Sequence, residues 1–375
     1  WPHSLGLFYS AFTFFLGFQV NEGEYKLMGL ASYGKPKFYD LILENLIDVK
    51  DDGSIHLNMD YFAFTYDKVM TNEKFSELFG VKRRMENEEV KQIHFDIGAS
   101  AQKVLEEVLL KMVEYIYKKT DSENLCLGGG VALNGVANYR ILKESSFERI
   151  HIPPSPGDAG SAVGAAQFLY YSHNKQDRKF SDDPTSRIIE NAYVGPSFSM
   201  EEIKKFLDGE NIKYEILDEE TSVKKCAKLI SEGNVVGWYQ DKMEWGPRAL
   251  GNRSILADPR RKEMKDVLNE KIKHRESFRP FAPSILEEYV SEYFEIDIPS
   301  PYMLMVSPVK KPEKIPAVTH VDGTGRLQTV SKNSNPLYYK LINEFYNLTG
   351  IPVVINTSMN VKGEPIVNTP EQAYN

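Results

Sequence analysis

"ENLCLGGGVALNGVANYRIL" (residues 123–142) reads as a short strand, a three-glycine turn and a helix. The scheme repeats at once. "RIHIPP" (149–154) is a strand, "SPGDAG" (155–160) a glycine turn and "SAVGAAQFLYY" (161–171) a helix. Strands alternating with helices through short glycine loops point to an α/β layer architecture. Just upstream, "SAQKVLEEVLLKMVEYIYKK" (100–119) places Val104, Leu105, Val108, Leu109, Met112, Val113 and Ile116 on one helical face.

The chain has 375 residues, too many for one small core, and two or three domains are expected. It has no run of 18 apolar residues, and "LGLFYSAFTFFLGF" (5–18) lacks the basic flank of a signal peptide. Two cysteines, Cys126 and Cys226, do not make a disulfide framework, so a reducing cytoplasm is the expected location. The polar, aperiodic "SHNKQDRKFSDDPTS" (172–186) marks a boundary, giving domains over 1–172 and 191–375 with a linker over 173–190. In the second half, "MEEIKKFLDGENI" (200–212) and "SVKKCAKLISEG" (222–233) read as helices, "NVVGWYQ" (234–240) as a strand and "RKEMKDVLNEKIKHR" (261–275) as a basic helix. "GIPVVINTSMN" (350–360) reads as a buried strand entering a polar loop.

The net charge of −8 argues against general nucleic-acid binding. Residues 242–279, however, hold eleven Lys and Arg against six Asp and Glu. A local basic patch in an acidic protein suits a small anionic ligand. Four groups supply it. They are Arg248 and Arg253 in "EWGPRALGNRSIL" (244–256); Lys271, Lys273, Arg275 and Arg279; His320, Asp322 and Arg326; and Asn356, Ser358 and Asn360. Arginine forks bind phosphate or carboxylate bidentately, lysine adds a point charge, and Ser and Asn give neutral hydrogen bonds. Any one of these groups alone reads as a solvated face; the four together read as an anion site. Gly129 and Gly130, with Asn134 after them, would let phosphate approach the backbone at a helix start, or simply make a tight turn. Asp158 caps its helix or binds a metal or ribose. Glu24 and Lys26, between Gly23 and Gly29, read as a surface turn with an ion pair, Lys26 being also a candidate nucleotide contact. The seven histidines include no HxxxH or HExxH pair, and no nucleophile–base arrangement is evident. The site therefore suits phosphoryl or acyl-phosphate chemistry run by positioning and charge stabilisation.

Together, "HSLGLFYSAFTFFLGFQVNEGEYKLMGLASYG", "GGGVALNG", "PPSPGDAGSAVGAA", "WGPRALGNRSILADPR", "IKHRESFRPFAPS", "HVDGTGRLQTV" and "NTSMNVKGEPIV" resemble the O-carbamoyltransferase family, nearly end to end. The resemblance implies a partial actin/hexokinase-type (Kae1-like) domain followed by a YrdC/Sua5-like α/β domain. The second would make carbamoyl-adenylate from carbamoyl phosphate and ATP with Mg2+; the first would pass the carbamoyl group to an acceptor hydroxyl. Lys273-x-Arg275 and Ser358-x-Asn360 match the YrdC-type pairs, and Arg248, Arg279 and Arg326 match the additional anion-binding arginines. Gly129, Gly130 and Asn134 match the nucleotide loop and Asp158 a metal-ligand aspartate; Arg253 is left as structural. The family carries a His-x-x-x-His metal motif ahead of "HSLG" that this sequence does not contain. The chain is therefore expected to be a fragment that has lost the family's Fe2+ or other divalent metal. Carbamoyl phosphate, ATP and a hydroxyl-bearing acceptor are the expected partners, with no nucleic acid and no membrane, and family analogy favours a homodimer. The rivals are a threonylcarbamoyl-type tRNA-modifying enzyme, disfavoured by the acidic charge and by "WGPRALGNRS", and a non-catalytic nucleotide-binding module.

Overall fold

In the computed structural model, residues 1–177, 192–276 and 278–375 are described, so the linker expected over 173–190 lies from 178 onward outside the described residues. The chain forms two compact units, Trp1–Ile152 and Pro153–Asn375, in a mixed α/β architecture. No helix among the described residues is long and apolar enough to cross a membrane.

The first unit contains α1 (Leu5–Phe15), α2 (Glu24–Ala31), α3 (Tyr39–Asn45), α4 (Glu73–Phe79), the long α5 (Gln92–Lys119) and α6 (Gly135–Glu144). Strands β1 (Ile47–Val49) and β2 (Ile55–Leu57) form one antiparallel pair, and β3 (Asn124–Cys126) and β4 (Arg149–His151) a parallel one. The aromatic stretch at the start is a core helix: Ser4 Oγ accepts from the Leu7 amide (3.3 Å), and Phe12 and Phe15 pack on Phe75 at ring distances of 5.2 and 4.9 Å. Two expectations are corrected here. The segment read as a surface turn around Glu24 and Lys26 is the first turn of α2, and instead of pairing with Lys26, Glu24 accepts from Ser10 Oγ (2.7 Å) and the Asn21 amide (3.1 Å). A carboxylate is favoured at that helix start by the unpaired amides and the dipole. The helix after the triple glycine begins at Gly135; a 3₁₀ turn, Gly130–Leu133, comes first, because Asn134 is the cap that starts the helix.

The second unit contains α7 (Gly160–Gln167), α8 (Met200–Gly209), α9 (Glu219–Ser231), the single turn α10 (Met264–Asp266), α11 (Val290–Tyr293), α12 (Pro336–Thr349) and α13 (Pro370–Tyr374). Strands β5 (Val236–Tyr239), β6 (Arg253–Ala257), β7 (Ala282–Leu286), β8 (Met305–Pro308), β9 (Thr324–Val330) and β10 (Val353–Ser358) form one sheet in the order β5-β6-β10-β7-β9-β8. Only the β7–β9 pair is parallel. Helix α12 packs on α9 and on β10 and β7. The basic helix expected over 261–275 is also corrected. α10 widens into a π-helical stretch, Val267–Lys273, which His274 ends in the left-handed region at φ 47°. The buried Asn269 organises this bend: its Nδ2 donates to Arg279 O (3.2 Å) and its Oδ1 accepts from Arg275 Nε (2.8 Å).

Along β7, β9 and β10, Ser284, Gln328 and Asn356 share one sheet face, where Ser284 Oγ donates to Gln328 Oε1 (2.6 Å) and the Asn356 amide faces both (3.1 and 2.9 Å). Side chains alternate along a strand, so Arg326, two residues before Gln328, and Ser358, two after Asn356, belong to the same face. The loop 240–253, ahead of β6, lies over this polar row. Its Gly251 has φ 108°, and a Cβ there would come 2.2 Å from the Tyr338 ring. Gly251→Ala is expected to destabilise the second unit by about 2–3 kcal/mol, from backbone strain plus overpacking, and a urea titration followed by tryptophan fluorescence would measure it.

Candidate functional site

The two arginines of the 244–256 stretch take different places. Arg253 opens β6 and is fully buried. Its guanidinium donates to the carbonyls of Gln240 (2.6 Å), Asn252 (2.9 Å), Asp241 (3.1 Å) and Pro196 (3.2 Å), and lies 3.7 Å from the Tyr239 ring centroid. It holds the loop together. Arg248 sits at the middle of the loop and is partly exposed. The backbone on its C-terminal side is pinned by side chains. Leu250 O accepts from Tyr193 Oη (2.8 Å) and Gln328 Nε2 (2.8 Å), and Ala249 O accepts from Asn356 Nδ2 (3.1 Å). Asn356, expected to touch substrate, thus has its amide engaged by the loop and the sheet.

Next to Asn356 on the same strand face is the cluster that the pairing of Lys273 with Ser358 and Asn360 forms. The Lys273 side chain is buried, and its Nζ donates to the Ser358 and Asn360 carbonyls, to Ser358 Oγ (3.3 Å) and to Asn360 Oδ1 (2.7 Å). Ser358 Oγ in turn donates to Asn360 Oδ1 (2.7 Å). Burial, reinforced by repulsion from Arg275 and Arg279, lowers the Lys273 pKa to about 7. The four oxygens oppose that fall, since each is an acceptor for the ammonium form. Arg275 lies over the Phe281 ring (4.6 Å), and Arg279 is 3.5 Å from the Glu276 carboxylate. Lys271 belongs to the same π-helical stretch. These groups form a cationic cluster in which Arg275 and Arg279 come close enough to Lys273 to repel its charge.

Arg326 lies on β9, and His320 closes the turn before that strand. The His320 amide donates to Thr324 O (2.7 Å), and its Nδ1 is 3.1 Å from Thr324 Oγ1. Burial lowers its pKa to about 4; Asp322 resists the shift, while Arg326 and Lys265 add to it, and the ring is neutral near pH 7. Asp322 instead ties the turn, accepting from the Thr324 amide (3.1 Å) and hydroxyl (2.7 Å).

In the first unit, Gly129 starts the 3₁₀ turn at φ 91°, and among the described residues no atom beyond the chain neighbours lies within 4 Å of where a Cβ on Gly128, Gly129 or Gly130 would sit. The Asn134 side chain caps α6 and pairs with Gln102. Its Oδ1 accepts from the Ala137 amide (3.1 Å) and from Gln102 Nε2 (3.0 Å), and its Nδ2 donates to Gln102 Oε1 (2.9 Å). Lys26 lies on α2, its amine 5.8 Å from the Phe18 ring centroid. Asp158, in the second unit, is exposed and does not cap the following helix, whose N-cap is Ala159. Among the described residues no group of three or more His, Cys, Asp or Glu is placed to hold a metal ion.

Sequence reading singled out the cations and missed what holds them: Glu244, Gln328, Ser284, Tyr193 and Asn335. The available signal was a polar residue inside otherwise buried strands, as in "APSIL" (282–286) and "RLQTV" (326–330).

The family profile described as "Carbamoyltransferase N-terminus" matches residues 1–167, and the one described as "Carbamoyltransferase C-terminus" matches residues 227–375. An uncharacterised protein of Synechocystis sp. is 49% identical over all of this chain and 64% of its own length. Nodulation protein NolNO of Sinorhizobium fredii is 38% identical over 99% of this chain and 52% of its own length. Nodulation protein NolO of Bradyrhizobium diazoefficiens is 37% identical over 99% and 65%. The chain thus spans between about half and two thirds of the length of these relatives.

Proposed function

This chain belongs to the carbamoyltransferase family, and on that premise we propose that it is the part of an ATP-dependent O-carbamoyltransferase that activates the carbamoyl group. Water cleaves carbamoyl phosphate to carbamate and phosphate, the carbamate oxygen displaces pyrophosphate from the α-phosphate of ATP to give carbamoyl-adenylate, and the carbamoyl group then passes to an acceptor hydroxyl as AMP leaves. The observation that carries this reading is the buried Lys273 ammonium held between Ser358 and Asn360, with Arg275 and Arg279 close by. A dianionic acyl phosphate beside a triphosphate needs several fixed cations, and side chains already oriented by hydrogen bonds need little reorganisation as charge develops. Lys273, Arg275 and Arg279 would hold phosphate oxygens, Arg248 and Arg326 would neutralise charge from the loop and from β9, and Ser358 would orient the carbamoyl group. The Gly129–Gly130 backbone would serve the nucleotide in the transfer half of the reaction.

The test is pyrophosphate release from ATP with and without carbamoyl phosphate. Carbamoyl-phosphate-dependent release is expected, falling about 10²–10³-fold in Arg248→Ala. Pyrophosphate release indifferent to carbamoyl phosphate, or an Arg248→Ala variant as active as the parent, would remove this reading of the site. Binding of ATP with no pyrophosphate at all would favour a nucleotide-binding module.

A further inference from the structure

Arg248 stands on a stretch with no ladder of its own, yet much of the backbone around it is fixed by side chains. Glu244 is buried, and its Oε1 accepts from three amides: Leu250 (2.8 Å), Asn252 (2.6 Å) and Arg253 (3.1 Å). The remaining amide in that run, Gly251, donates to Ser254 Oγ (3.0 Å). Asn252 is tied in again through its side chain, which donates to Lys242 O (2.7 Å) and accepts from Asn335 Nδ2 (2.9 Å). Three convergent N–H groups on one oxygen form a nest for an anion, and here the protein supplies the anion itself. We propose that Glu244 is a positioning residue for Arg248. Its carboxylate closes the 244–253 loop on itself, so that Arg248 is presented to an incoming phosphoryl or acyl-phosphate group in one fixed pose.

The chemistry requires a carboxylate. A single oxygen accepting three amides must be strongly basic. The second oxygen, Oε2, is buried with no hydrogen-bond partner. A glutamine amide placed there would have no acceptor, and turned the other way it would set N–H against N–H. Glu244→Gln therefore loosens the loop while leaving volume almost unchanged.

This inference rests on the reading of Arg248 as an anion ligand, and the experiment separates the two. Carbamoyl phosphate affinity is measured by calorimetry on the parent, Glu244→Gln, Arg248→Ala and the double variant, with thermal midpoints recorded for each. Glu244→Gln is expected to weaken carbamoyl phosphate binding about tenfold or more, and the double variant to bind no more weakly than Arg248→Ala alone. Glu244→Asp, which keeps the charge, is expected to recover part of the loss. Losses that multiply in the double variant, or a Glu244→Gln protein with lowered midpoint and unchanged affinity, would make Glu244 a stability residue and overturn the proposal. If Arg248→Ala binds as the parent does, the anion-site reading itself fails, whatever Glu244 does. If Glu244→Gln does not fold, Tyr193→Phe, which removes one bond to Leu250 O, takes its place, with a smaller loss in the same direction expected and no loss counting against the proposal.

Discussion

Lys273→Met is expected to lower carbamoyl-phosphate-dependent pyrophosphate formation by about 10²–10³-fold without unfolding the chain, because it removes a preorganised charge and keeps the side-chain volume. The stability side of the same change has a definite sign. Burial first, then Arg275 and Arg279, bring the Lys273 pKa in the folded protein down to about 7 from an ordinary value of 10.5. Between those two values the unfolded chain binds more protons than the folded one, so this lysine makes stability rise with pH across that window. Below about pH 7 both states are protonated, and the full cost of the buried ammonium is present. Lys273→Met should remove that slope and leave the variant at least as stable as the parent at pH 7. An anion bound beside the ammonium raises its pKa again. Carbamoyl phosphate binding near pH 8 should therefore take up a fraction of a proton, seen as a dependence of the calorimetric heat on the ionisation enthalpy of the buffer. Binding heats independent of the buffer would show that Lys273 does not face the ligand.

The strand–glycine–helix repeats and the mixed α/β class could be read from the sequence because period-2 and period-3.6 patterns report burial directly. Pairs such as Lys273 with Ser358 and Asn360 were readable through motif spacing, although nothing in a linear pattern says that residues 85 and 87 positions apart share hydrogen bonds. Local signals failed where a tertiary partner decided the matter. The run 261–275 has helical composition, but the buried Asn269 and the left-handed His274 bend it into a wider π winding that turns Lys273 inward. Around Lys26 the local cue was glycine on both sides, and the deciding contact was Ser10 Oγ, fourteen residues from Glu24. The resemblance matches Asn134 to a nucleotide loop, and no local pattern shows what else its side chain does. The Asn134 side chain pairs with Gln102 of α5, thirty-two residues away, and caps α6. Glu244 escaped notice because an acid in a basic stretch reads as a surface counter-charge, whereas its partners are backbone amides that every residue carries.

The division between the two arginines of one loop gives the second large effect. Arg253→Met is expected to cost about 3–5 kcal/mol, because it strips donors from four carbonyls in a fully buried setting and removes a cation whose charge interacts favourably with Glu244. Burial pushes the Arg253 pKa down, with Tyr239, Glu244 and Asp241 opposing the shift, but a guanidinium remains charged throughout the working range. Lysine is a poor replacement: it retains the charge but cannot span four carbonyls with a planar fork or lie flat over Tyr239 at 3.7 Å, so Arg253→Lys should still lose about 2 kcal/mol. Urea titrations followed by the fluorescence of Trp238 and Trp245 would read both. Arg248→Ala, on the same loop, should do the opposite, moving carbamoyl phosphate affinity far more than the urea midpoint. If Arg253→Met shifted affinity at an unchanged midpoint while Arg248→Ala unfolded the chain, the roles would have to be exchanged. The anion site would then lie on the Arg253 side of β6, away from the polar row of Ser284, Gln328 and Asn356.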